Sequence, residues 1–126
     1  MEEYPIYVAG EFCREGKSLQ VTNKFTGENI GSTWQCNRQT LDRAIEAAVS
    51  SRHACAELPA YQPSEALKHI SATLQARKED HARLLATESA KPLVYAAAEI
   101  DRAVHTFSIA SEACPRLPRE YTALAW

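Results

Sequence analysis

The sequence predicts a mainly α-helical chain with a small antiparallel β-meander at its N-terminus. Three observations carry this reading. Up to Cys36 the apolar residues come in short runs separated by glycine-containing turns. From Asn37 onward they recur at helical spacing. Prolines at 59, 63, 92 and 115 fall where those helical stripes begin or end. With 126 residues the chain is one domain, read as a β region over 1–36, a helical region over 37–114 and a tail over 115–126.

In the β region, Ile6, Tyr7 and Val8 are strand formers that stop at Ala9-Gly10, with Phe12 and Cys13 beyond the turn. Glu15-Gly16-Lys17 is a second turn, after which Leu19, Val21 and Asn23 alternate with polar neighbours. Thr26-Gly27-Glu28 is a third, and Ile30, Ser32 and Trp34 then share one face by period two. Such a sheet is marginal alone and must pack on helices.

Asn37 is the expected N-cap of the first helix, whose stripe is Leu41, Ala44, Ile45, Ala48, Val49, Cys55 and Ala56; Leu58-Pro59 ends it. Pro63 suits the first turn of the second, with Ala66, Leu67, Ile70, Leu74 and the Arg77 stem inward. ARKEDHARL is too polar for core, which places a break near Lys78 to Asp80. A third helix carries Ala82, Leu85 and Ala86 and ends near Ser89. Lys91 precedes a proline and is biased away from helical dihedrals, so Pro92 is expected as the first residue of a fourth helix. Its stripe of Leu93, Ala96, Ala97, Ile100, Ala103, Val104, Phe107, Ala110 and Cys114 runs about 33 Å. A stripe so long and alanine-rich calls for a sheet or another long helix against it.

Composition narrows the function classes. A net charge of −2 and a pI near 6.1 give no electrostatic footprint for nucleic acid or an anionic membrane. No apolar run approaches the roughly 20 residues that span a bilayer. MEEYPIYVAG lacks the features of a signal peptide, which leaves a cytoplasmic location as the expectation. Cys13, Cys36, Cys55 and Cys114 show no CxxC pair and read as free thiols rather than zinc ligands. His53, His69, His81 and His105 do not cluster, although His69 beside Ile70 suits a half-buried place. Trp34 and Trp126 read as packing or interface residues.

Four segments in order carry a resemblance. IYVAGEF and VTNKFTGENIGSTWQ, the helices TLDRAIEAA and ELPAYQPSEALKHISATLQARKEDHARLLATE, and TESAKPL with AAAEIDRAVHTFSIASEA resemble the N-terminal part of the NAD(P)-dependent aldehyde dehydrogenase superfamily, colinear from about Tyr4 to Glu120. ELPAY and its neighbouring helices resemble the branch acting on small aldehydes such as lactaldehyde or phosphonoacetaldehyde. The resemblance implies a fragment of the α/β aldehyde dehydrogenase fold that lacks the cofactor-binding sheet. In the family a cysteine attacks the aldehyde, a glutamate acts as general base and a Rossmann-like sheet binds NAD or NADP, all C-terminal to the matched region. None of the four cysteines lies in the family's glycine-flanked motif, and no phosphate-cradling glycine loop occurs. The expected catalytic and cofactor-binding residues in this chain are therefore none.

Some positions depart from the family's pattern. Ala90 stands where the family usually has the glycine that ends a helix in the left-handed region, Lys24 where proline is common, and Pro63 where a basic residue is common. Glu99, with backbone oxygens of Val21 and Thr22, matches a place where some members hold a structural monovalent cation; the plainer reading is a solvated carboxylate. Lys91 is read as a linker residue bonding local carbonyls rather than a functional lysine.

Two functions follow. One is the scaffold part of an enzyme oxidising an aldehyde to a carboxylic acid with NAD(P)+, inactive alone. The other is a non-catalytic helical oligomerisation module from a truncated gene. Both expect self-association through the Leu93–Cys114 helix, since uncovered apolar stripes drive association. The first adds the remainder of the parent enzyme as a partner.

Overall fold

The computed structural model describes residues 2–116, so the tail from 117 onward, with Trp126, lies outside the described residues. Five short strands precede four helices: β1 (Glu2–Glu3), β2 (Ile6–Val8), β3 (Glu11–Cys13), β4 (Lys17–Thr22) and β5 (Asn29–Gln35), then α1 (Arg38–Glu57), α2 (Tyr61–Ala76), α3 (Lys78–Ser89) and α4 (Leu93–Ala113). A 3-10 turn, Cys114–Arg116, follows α4.

The strands do not form one antiparallel meander. They make two sheets, an antiparallel β2–β3 hairpin and a mixed sheet in the order β1-β5-β4, in which β1 runs parallel to β5. The hairpin closes at Ala9 (φ 53) and Gly10 (φ 90), both left-handed, which matches the twist of a two-residue turn. Gly16 (φ +101) then diverts the chain: a Cβ there would lie 2.1 Å from the Gln35 carbonyl oxygen, so only glycine brings β4 beside β5. Leu19 pairs with Thr33 and Val21 with Gly31, with an irregularity between Val21 and Thr22. Asn23 Oδ1 accepts from the Phe25 and Thr26 N–H groups at 2.9 and 3.2 Å, so this turn holds without a proline at Lys24.

The helix boundaries follow the local chemistry. Asn37 Oδ1 accepts the Thr40 N–H at 2.9 Å and caps α1. The break between α2 and α3 falls at Arg77 (φ −109, ψ 23), one residue before the expected stretch. Ala90 ends α3 at φ 56, ψ 22. Pro92 (φ −54, ψ 137) is the N-cap of α4 rather than its first helical residue: its ring fixes φ, but ψ stays extended.

α4 is the central helix, flanked by α2 and α3. Most of its expected stripe faces them: Ala96 is fully buried, and Ala97, Ile100, Ala103, Val104, Phe107 and Ala110 are half-buried, whereas Leu93, in the first turn, stays exposed. α2 lies antiparallel to α4, as shown by Ser64 meeting Ser111 and Ser71 meeting Val104. The inward residues of α2 are therefore Ser64, Leu67, Ser71 and Leu74, whereas Ala66 and Ile70 stay exposed. α3 brings Ala82 into the same seam, and Lys78 Nζ bonds both carboxylate oxygens of Asp101 at 2.7 Å. His69 is exposed, and the half-buried histidine is His81.

Only Ala82 and Ala96 are buried apolar residues among those described. The chain exposes 10013 Å², against about 6,700 Å² for a compact monomer of 14.0 kDa. The eleven residues outside the described range account for at most about 1,800 Å² of the difference, even if fully extended. Among the described residues, apolar side chains stand open chiefly on α1, where Leu41, Ile45 and Val49 are 47%, 52% and 67% exposed.

Candidate functional site

Three places could hold chemistry: the acidic position at Glu99, the thiols, and the open apolar faces. Glu99 projects from the second turn of α4, and Lys91, in the link before Pro92, reaches it to form an ion pair between Nζ and Oε1. The Lys91 ammonium, by hydrogen bond and by charge, holds the Glu99 carboxyl below its ordinary value. Glu99 is thus a paired carboxylate, and Lys91 bonds a carboxylate eight residues on rather than local carbonyls.

Val21 and Thr22 end β4, where the Thr22 hydroxyl accepts from Lys24 Nζ at 3.1 Å. Among the described residues no hydrogen bond joins Thr22 to Glu99, and no three His, Cys, Asp or Glu side chains cluster as metal ligands. The backbone contact nearest this region is Lys24 N–H to the Thr87 carbonyl, 3.2 Å, which ties the β4–β5 turn to α3.

The four thiols are free: Cys13 and Cys114 are half-buried, Cys36 and Cys55 exposed. A nucleophilic cysteine needs a base or a cation to stabilise its thiolate. Cys114 donates to the Ala110 carbonyl at 3.3 Å, an ordinary helical contact. Cys13 accepts from Arg43 at 3.7 Å, but that guanidinium is shared with Glu15, whose Oε1 it bonds at 3.1 Å. Glu15 also accepts the Thr40 hydroxyl at 2.9 Å, and these two bonds, Thr40 first, keep its carboxyl below the ordinary value. This cluster fastens the start of α1 to the turn after β3. It offers no base for attack on a carbonyl.

What the molecule presents instead is surface. Alongside the α1 face, the hairpin exposes Tyr7 and Phe12, packed edge to face with centroids 5.0 Å apart, at 64% and 72%. α4 exposes Val94, Tyr95 and Ile109 at 70%, 64% and 66%, on the side away from α2. Sequence reasoning missed the inward serines of α2, which carry no apolar signal. Pro115 was the available clue, because it leaves a carbonyl of α4 without a helical donor. Among the described residues no helix is long and apolar enough to cross a membrane.

Residues 12–125 match the pattern of the aldehyde dehydrogenase family. Glutarate-semialdehyde dehydrogenase of Pseudomonas putida is 36% identical over 96 residues, which is 75% of this chain and 20% of that protein. Aldehyde dehydrogenase 21 of Physcomitrella patens, solved with the reaction product succinate, superposes with a TM-score of 0.88 at 33% identity, covering 97% of this chain and 27% of that one. Betaine aldehyde dehydrogenase of Staphylococcus aureus, solved with NAD+, shares the fold at a TM-score of 0.81 and 20% identity, over 85% of this chain and 22% of that one. The chain thus spans about a fifth to a quarter of the relatives it matches. The match over residues 12–125 places the chain in the aldehyde dehydrogenase family.

Proposed function

We propose that this chain is the N-terminal scaffold part of an enzyme that oxidises an aldehyde to a carboxylic acid with NAD or NADP, and that it is catalytically silent alone. The observation carrying this reading is the conjunction of a family match over 12–125 with apolar faces that stay exposed among the described residues. In the parent, the nucleophilic cysteine, the general base and the cofactor sheet belong to polypeptide beyond the matched segment. The α1 and α4 faces then meet that polypeptide, in a cytoplasmic enzyme. The isolated chain self-associates, with Leu93, Val94, Tyr95 and Ile109 as the open part of the Leu93–Cys114 helix. The surplus surface is of the order of what a stable interface covers, about 800 Å² per partner or more.

The experiment has two arms. Titration calorimetry with NAD+ and NADP+, run with an aldehyde-oxidation assay on the same sample, is expected to show neither saturable binding nor turnover. Saturable cofactor binding would overturn the scaffold reading. Sedimentation at micromolar concentration is expected to show dimers or larger species. A single 14.0 kDa species would remove the self-association.

A further inference from the structure

We draw no further inference here: the strongest candidate, the unpartnered apolar face that Leu41, Ile45 and Val49 form along α1, carries nothing, because beyond the scaffold reading already proposed nothing in the structure shows what covers it.

Discussion

Ser64→Ala is the sharpest test of how the helical layer is held. Within α4 the Ser111 carbonyl would ordinarily accept the N–H of residue 115, but that residue is proline and has none. Ser64 Oγ donates to this carbonyl at 2.8 Å, and Ser111 and Ser64 are only 1% and 8% exposed, so water is a poor substitute. Removing the hydroxyl strands a buried acceptor, which costs about 1–3 kcal/mol. At roughly 3–5 °C per kcal/mol for a chain of this size, a loss near 2 kcal/mol lowers Tm by about 6–10 °C. Ser71→Ala is the internal control. Its hydroxyl meets the Val104 carbonyl at a similar 2.9 Å, yet that carbonyl keeps the Ser108 N–H within the helix. Its removal should therefore cost only about 0.5–1 kcal/mol. The second check is Pro115→Ala, which restores an N–H four residues after Ser111. In the Ser64→Ala background it should recover at least about 1 kcal/mol, read as a coupling energy in a double-mutant cycle. Thermal unfolding followed by circular dichroism gives all four values. Equal losses for the two serine variants, or no rescue by Pro115→Ala, would refute the assignment of Ser64 as the missing donor.

Three further outcomes are expected. Ala90→Gly relieves a left-handed alanine that costs about 1–2 kcal/mol, partly offset by the greater freedom of glycine in the unfolded chain, so a net gain of about 0.5–1 kcal/mol should raise Tm; a lower Tm would mean that Ala90 does not adopt this conformation. Asn37→Ala removes the α1 cap and should cost about 1 kcal/mol, with hydrogen exchange accelerating first at the start of α1; unchanged exchange there would count against the cap. Because Lys91 depresses the Glu99 carboxyl from 4.5, the pair contributes stability above that value and loses it as pH falls through the lowered folded-state value. The Tm difference between the wild-type chain and Glu99→Gln should accordingly be present near neutral pH and shrink on acidification below 4.5, and a difference that grows with acid would reverse the assignment.

The helix boundaries were readable because each rests on a residue with a local physical signature. Asn37 has a cap oxygen, Pro59 and Pro92 have fixed φ, and the charged run in ARKEDHARL marks the α2–α3 break, although its Ala82 returns to the seam. The strand pairing was not readable. Glu2 and Glu3 carry no strand preference and enter the sheet through backbone bonds to β5, some thirty residues away, a non-local choice that periodicity does not encode. Gly16 announced a turn, but only the approach of Gln35 reveals that the turn separates two sheets. At the candidate cation position, the residue type at Glu99 was visible, while its lysine partner was not, since Lys91 lies eight residues away and outside α4. The inward face of α2 was misjudged for a related reason. Ser64 and Ser71 look like solvent residues until α4 supplies carbonyls for their hydroxyls.

The two faces of α4 explain why its sequence looked like a rod awaiting a larger partner. Ala96, Ile100, Val104 and Phe107 lie on one side, facing α2 and α3 within this chain. At 3.6 residues per turn, Val94, Tyr95, Ala98 and Ile109 fall roughly opposite, and all four are exposed. A helix apolar on both sides belongs in the middle of a layered structure, not at its edge. The stripe first expected to seek a partner is partly satisfied at home. The demand for cover comes instead from the bulkier residues across the helix, together with the face of α1. This also accounts for polar groups in the α2–α4 seam. With so little apolar area enclosed, the register of these helices depends on hydroxyl-to-carbonyl bonds that have one correct alignment, and this is why Ser64 should matter more than its size suggests.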